Sequence, residues 1–385
     1  MRASNHRADD GIARAYFATG TRGFPLCSSL ENGSVPPGPV LPAARLTGRR
    51  RPTRRSSRRR RPRPSRAGCF ATDYASSRVK ALVVGFGSIG ARHSRILEEE
   101  GCDLAVVSRH RFEHRHAYAS IADAVVGHHP DYVVIANRTT EHRASLAELA
   151  VAGHTGPVLV EKPLCEAPCE VSGLPFECLY VGYNLRFHPA LRRLRALIAD
   201  DRVLTVQVYA GQYLPDWRPG RDYRTSSSAS RSAGGGVLRD LSHELDYLTW
   251  MLGSWRAVAA SGGRSGALEV DCEDSVVALL ELERCPRVVV QLNYLDRVGR
   301  RSILVTGERR TLELDLVGGR LRRTSSHGDE IEDFAIERDQ TYRDQHRAVL
   351  DGRHGDLCSA EEGLTVLHLV AALEEAMTNR RWVVR

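Results

Sequence analysis

The stretch Val83-Val84-Gly85-Phe86-Gly87-Ser88-Ile89-Gly90-Ala91-Arg92-His93 decides how this chain is read. Val79 to Val84, leading into it, is apolar apart from Lys80, as in a parallel strand covered on both faces. Gly85, Gly87 and Gly90 form G-x-G-x-x-G. In that arrangement the first glycine permits a sharp turn and the second lets a pyrophosphate approach the backbone. The third lets the following helix pack close to the strand. The helix would begin at Ser88 and Ile89, turning its free N–H groups and positive dipole end toward the phosphates. A strand, a glycine turn and a helical Arg92–Glu100 together predict a dinucleotide-binding turn.

Outward from this turn the pattern alternates. Asp103–Ser108, Asp131–Ala136 and Val158–Val160 read as strands; Ala91–Glu100, Ser120–His128 and Glu141–Ala152 read as helices. Such a βαβ series implies a doubly wound parallel sheet, here over residues 78–182. Beyond Gly182 the texture changes. Strand-like runs at Leu204–Tyr213, Ser275–Glu283, Arg287–Tyr294, Ser302–Gly307 and Thr311–Leu316 are separated mostly by turn residues. Helices are expected at Val237–Leu252 and near Ala360–Thr378. The fold class is therefore α/β: an N-terminal Rossmann sheet, then an α+β domain over 183–385 with a mostly antiparallel open sheet.

The 385 residues carry a net charge of +8, and its distribution matters more than its size. Residues 1–77 hold sixteen arginines, no lysine and four acids, a net of +12, which leaves the remainder at −4. The excess peaks at Arg49–Arg66, a stretch rich in Arg, Pro and Ser that is expected to be disordered. Three readings stand: an over-long start with the folded unit beginning at Arg78, an Arg- and Ser-rich transit segment, or an arm for an anionic surface or nucleic acid. Nucleic-acid binding is not expected outside this tail. No stretch has the ~18 apolar residues of a membrane-spanning helix. The nine cysteines include no C-x-x-C pair, so reduced thiols in a cytoplasmic protein are expected.

Three features carry chemistry. Strand two ends Val106-Val107-Ser108-Arg109-His110-Arg111, with no acid at its tip. A hydroxyl and guanidinium groups suit a 2′-phosphate, which favours NADP through Ser108 and Arg109, with NAD the alternative if the arginines are merely solvated. Glu161-Lys162-Pro163 follows a strand of the parallel sheet, at the end where ligands bind in this architecture. Gly234-Gly235-Gly236 precedes Asp240, His243 and Asp246, which at three-residue spacing share roughly one helix face. The glycine run would let the chain approach a ligand, and a histidine between two acids could be tuned for proton transfer. No metal is expected, because no further ligand set accompanies the histidine.

The combination of G-F-G-S-I-G, A-N-x-T-x-x-H (Ala136, Asn137, Thr139, His142), E-K-P and G-G-G…D-x-x-H-x-x-D resembles the Gfo/Idh/MocA family over about residues 78–385. The resemblance implies NAD(P)-dependent oxidation or reduction of a carbinol carbon of a sugar, cyclitol or nucleotide sugar. It makes Lys162 the residue bonded to the reacting oxygen, His243 the acid/base and Asp240 its neighbour. Asn137 would lie by the ribose or nicotinamide, and Glu161 joins it among the cofactor-binding candidates. Many members space the Asp and His by four rather than three, and the linker Cys165–Leu179 is short. The open sheet would mediate homo-oligomer formation. Substrate contacts are expected from Tyr183, Asn184 and Arg186, and from the loop bearing Trp217, Arg221 and Tyr223, whose aromatic faces and arginines suit an anionic sugar; both stretches resemble those of family members of cell-surface sugar biosynthesis, and that resemblance implies a substrate of that kind. A non-catalytic dinucleotide sensor of the same fold is the rival reading.

Overall fold

In the computed structural model, residues 78–109 and 114–385 are described; the Arg-rich tail and Arg111 lie outside them. The first half runs β1 (Lys80–Val84), α1 (Ser88–Glu99), β2 (Asp103–Val107), β3 (Ala117–Tyr118), α2 (Ile121–His128) and β4 (Tyr132–Ile135). It continues with α3 (His142–Val151), β5 (Val158–Val160) and β6 (Leu179–Val181). The expected strands and helices are all present, with ends displaced by a residue or so. β1, β2 and β4 are buried along nearly their whole length, which explains their unbroken apolar runs. All pairings among β1–β6 are parallel. The register sets the carboxyl ends level: Val84 pairs with Val107 on one side and Ile135 on the other, Ile135 with Val160, and Val160 with Val181.

The second half runs α4 (Pro189–Ala199), β7 (Val203–Gly211), α5 (Val237–Asp240), α6 (His243–Leu252), β8 (Trp255–Gly263), β9 (Ser275–Leu282) and β10 (Cys285–Asn293). Then follow β11 (Arg300–Gly307), β12 (Arg310–Asp315), β13 (Arg320–Ser325), β14 (Gly328–Asp333), α7 (Gln340–Leu350), β15 (Cys358–Ser359), α8 (Ala360–Asn379) and β16 (Val383–Val384). Nine strands form the second sheet in the order β14-β13-β12-β11-β7-β10-β9-β8-β16, with β7–β10 the single parallel pairing. β9 and β10 alternate buried and open residues, as a sheet covered on one face must.

The chain then returns to its first sheet. β15 adds antiparallel to β6, completing the order β15-β6-β5-β4-β1-β2-β3, and Ala348, Val349 and Leu357 pack in the core beneath β1 and β4. Both sheets belong to one unit, Arg66–Arg385.

Two local expectations are corrected. Val237–Leu252 is not one helix: α5 stops at Asp240 and α6 starts at His243, with Leu241 at φ −98°, ψ 31° between them. Cys165 and Cys169 are not free thiols but are joined in a disulfide, whereas Cys102, Cys178, Cys272, Cys285 and Cys358 are free. Among the described residues, no helix is long and apolar enough to cross a membrane.

Candidate active site at the carboxyl edge of the parallel sheet

The level strand ends gather the predicted residues along one edge. Ser108 follows β2, Gly85 follows β1, Asn137 lies two residues beyond β4, and Glu161 and Lys162 follow β5. The glycine turn behaves as its spacing requires. Gly85 has φ +98°, and a Cβ there would stand 2.6 Å from the Asn137 nitrogen. A Cβ on Gly90 would lie 2.0 Å from the Gly85 carbonyl oxygen, so helix and strand touch through hydrogen only. Gly87, in contrast, faces open space, with nothing within 4 Å of an added Cβ. It is also the N-cap of α1 without a side-chain cap, leaving the first-turn N–H groups of Ser88 and Ile89 directed outward. Asn137 donates to Ser145 Oγ at 2.8 Å, while its own Oδ1 is buried with no partner among the described residues. An uncapped helix start, an open glycine face and an orphaned acceptor together fit a dinucleotide.

At the far end of that groove, Arg109 is exposed and ion-paired with Glu141 at 3.0 Å. β2 itself ends without an acid, and the carboxylate paired with Arg109 comes from beyond β4.

Lys162 stands beside a cis peptide bond to Pro163, and His142 supports that loop, with Nδ1 3.1 Å from the Pro163 carbonyl and 3.2 Å from that of Leu164. The Lys162 ammonium reaches across to the second half of the chain and donates to the backbone carbonyl of Asp240 at 2.7 Å. The break between α5 and α6 makes this possible, since a helix end leaves carbonyls without intrahelical donors. His243 opens α6, and its ring meets Tyr183 edge-on at 5.6 Å. Its Nδ1 is buried without a partner among the described residues. Burial first, then the charges of Lys162 and Arg301, hold its pKa well below the usual imidazole value, so the ring is neutral and able to accept a proton.

The expected pairing of His243 with two acids does not form. Asp240 accepts a 2.7 Å bond from the Tyr294 hydroxyl, and the edge of Trp217 stands against that ring at 5.3 Å. Asp246 faces away and takes three bonds of 2.7–3.1 Å from Arg186. The helix break takes Asp240 off the face that carries His243, and Asp246, on the same helix as His243, is taken by Arg186.

Several assignments move accordingly. Arg186 is 1% exposed and is consumed by Asp246 and Glu362, so it locks α6 in place rather than meeting substrate. Asn184, also buried, donates to Thr341 Oγ1 at 2.6 Å. Tyr183 is fully buried and donates to Ser242 Oγ at 3.3 Å, beneath His243 rather than in the open. Tyr223 uses its hydroxyl to accept the Glu269 N–H at 3.1 Å. Trp217 is partly open and Arg221 exposed, which leaves both available to a ligand. Glu161 turns inward to His93 at 2.8 Å, away from the groove. Gly235 and Gly236 make room for protein, not ligand: a Cβ on Gly235 would meet the Ser227 carbonyl at 2.1 Å, and one on Gly236 the Glu273 carboxylate at 2.3 Å.

Sequence reasoning missed Tyr294, Arg301 and Glu244. Glu244 is fully buried beside His243 in the chain and lies 2.8 Å from Arg301 on β11. A glutamate at that depth is a signal only once depth is known. Among the described residues, no group of three or more His, Cys, Asp or Glu side chains is placed to hold a metal ion.

A glycine turn on a six-strand parallel core, a mostly antiparallel second sheet, and a lysine and histidine brought together between them define a two-sheet fold with a turn suited to a dinucleotide. Residues 191–313 match the family model of the GFO/IDH/MocA C-terminal domain. No curated protein sequence matches the chain. Among solved structures it is similar to GenD2 from gentamicin A biosynthesis in complex with NAD, at 24% identity over 81% of this chain and 98% of that one, with a TM-score of 0.66. It is similar also to levoglucosan dehydrogenase in complex with NADH, at 16% identity over 80% and 99% of the two chains and a TM-score of 0.69. A third similar structure is the UDP-N-acetylglucosamine 3-dehydrogenase GnnA from Acidithiobacillus ferrooxidans, at 20% identity over 79% and 99% and a TM-score of 0.65. At these identities the likeness establishes a shared fold along the described chain.

Proposed function

We propose that this chain is an NAD(P)-dependent oxidoreductase acting on a CH–OH carbon of a sugar, cyclitol or nucleotide sugar. The observation that carries this reading is the placement of Lys162 and His243. One comes from each half of the chain, and the Lys162–Asp240 contact joins the strand end bearing the first to the helix end beside the second. A nicotinamide bound in the groove supplies or takes up the hydride. The protein does the rest. Neutral His243 accepts the hydroxyl proton during oxidation and returns it during reduction, while the Lys162 ammonium holds the substrate oxygen and stabilises its developing charge. Trp217 offers a ring face and Arg221 a guanidinium, which favours an anionic sugar of cell-surface metabolism.

Two cofactor readings remain, each with its own observation. Ser108 and Arg109 favour a 2′-phosphate and hence NADP. The Arg109–Glu141 pair favours NAD, because Glu141 brings a carboxylate to the groove end that β2 leaves without one. The open face of the second sheet carries Val277, Leu279 and Val289, all exposed, with Leu279 paired directly to Val289. We assign this face to contact with a second copy of the chain, and the protein to the cytoplasm.

The test is a titration with NADPH and NADH, followed by turnover with a panel of neutral and anionic sugars and nucleotide sugars. Turnover that disappears in both Lys162→Met and His243→Ala, with dinucleotide binding kept, is the expected result. Dinucleotide binding without turnover of any sugar would instead favour the sensor.

A further inference from the structure

The proposed reaction leaves four buried polar side chains unused, and they form one continuous chain. Glu161 Oε1 lies 2.8 Å from His93 Nε2, and His93 Nδ1 lies 2.8 Å from His346 Nε2. His346 Nδ1 lies 3.0 Å from the Tyr132 hydroxyl. Exposure along the chain is 8%, 0%, 0% and 2%. The members come from the end of β5, from α1, from α7 and from β4, so 253 residues separate the two histidines. Glu161 Oε2 meanwhile accepts the backbone N–H of Lys162 at 3.1 Å.

With both rings neutral, the chemistry of the groups fixes the direction of these bonds. Burial raises the Glu161 carboxyl, but the hydrogen bond from His93 and the charge and N–H of Lys162 together bring it below its ordinary value, so Glu161 is a carboxylate and only accepts. His93 Nε2 must then carry a proton. Burial holds His346 neutral, which allows it one N–H. Burial likewise keeps the Tyr132 phenol protonated. One fully satisfied neutral arrangement follows: Tyr132 O–H donates to His346 Nδ1, His346 Nε2–H to His93 Nδ1, and His93 Nε2–H to Glu161. Every donor points toward Glu161. The chain ends at Tyr132 in the core beneath the sheet, so it offers no proton path to water.

We propose that His93 and His346 are positioning residues, which hold the Glu161 carboxylate and through it the backbone from which Lys162 extends. α7, from the C-terminal part of the chain, thereby becomes part of the site without touching substrate. This rests on Lys162 being the lysine that meets the reacting oxygen.

The test compares His346→Leu with His346→Gln, whose amide can keep a donor toward His93. In His346→Leu, kcat should fall about two- to tenfold, the scale of one hydrogen bond between neutral groups, with KM and the NADH dissociation constant little changed. His346→Gln should recover most of the loss. Imidazole ¹⁵N shifts of the full-length wild-type protein, assigned with His93→Gln and His346→Gln, should show both rings in the Nε2–H form. A proton on Nδ1 of either neutral ring overturns the proposal even if the leucine variant fails to fold. Unchanged kcat in His346→Leu, in an enzyme that Lys162→Met inactivates, overturns it while leaving the proposed function intact. If no sugar turns over at all, the proposed function fails, and with it the positioning role.

Discussion

Lys162 Nζ donates to the backbone carbonyl of Asp240 at 2.7 Å, joining the end of β5 to the end of α5 across 78 residues of sequence. Its acceptor belongs to the main chain, so the contact survives changes to the Asp240 side chain. Lys162→Met should therefore lower kcat by roughly the 10²–10⁴-fold of a lost catalytic group. Asp240→Asn, which keeps the carbonyl and an acceptor for Tyr294, should cost far less. Equal losses in steady-state assays of the two variants would show that the Asp240 carboxylate takes part directly.

The glycine turn separates space for protein from space for ligand. Gly90→Ala puts a methyl 2.0 Å from the Gly85 oxygen and should destabilise the fold by about 1–3 kcal/mol or more, as overpacking does. Gly87→Ala meets nothing within 4 Å and should leave the melting temperature nearly unchanged while weakening NADH and NADPH binding. Thermal melts with and without dinucleotide distinguish the two. A Gly87→Ala protein that binds as tightly as its parent would contradict the placement of phosphates over this turn.

Arg186 and Asp246 are each 1% exposed and share three hydrogen bonds. Burial works against the Arg186 charge, and Asp246 outweighs it, so the guanidinium is held charged. Arg186→Met would strand a buried carboxylate in the helix that carries His243, at a cost of about 3–5 kcal/mol. The double variant Arg186→Met/Asp246→Leu should recover much of that loss. Denaturant melts measure both; an Arg186→Met protein as stable as its parent would refute the locking role.

Acid should unfold this protein through its buried imidazoles. The pKa of His188 is lowered to about 4, by burial and then by the Arg301 charge, and burial holds those of His243 and His346 well below their ordinary 6.5. Below that ordinary value the unfolded chain takes up protons that the folded chain refuses. Stability therefore falls as pH drops from about 6.5 toward 4, by about 1.4 kcal/mol per pH unit for each histidine. His188 caps α4, its Nδ1 accepting the Ala190 N–H at 3.2 Å. His188→Asn keeps a capping acceptor without the titration, so melts from pH 7 to 4 should show a shallower slope. An unchanged slope would mean that His188 protonates freely in the fold.

Much of the architecture is legible in short stretches because its causes are local. A β1 sequence apolar on both faces, three glycines at fixed spacing and the alternation of β9 and β10 each depend on neighbours in the chain. The hairpin of β13 and β14 was not legible. It has little apolar patterning and is tied by cross-strand pairs such as Arg320–Asp333 at 2.8 Å, which look like ordinary surface charges until the strands are paired. Helix α7 escaped notice for a similar reason: its buried residues include Thr341, Gln345 and His346, polar side chains that a hydrophobic pattern ignores.

The amino-acid sequence alone determined the glycine turn, the parallel order that follows from it, and the candidacy of Lys162 and His243. Steric demands and periodicities act between residues a few positions apart, so they are written wherever those residues are written. Only the tertiary structure decided that α5 breaks before His243, that Arg186 is a buried lock, and that Glu161 faces His93, which His346 backs from behind. Each of these depends on which side chain arrives from 60 or more residues away, and packing makes that choice.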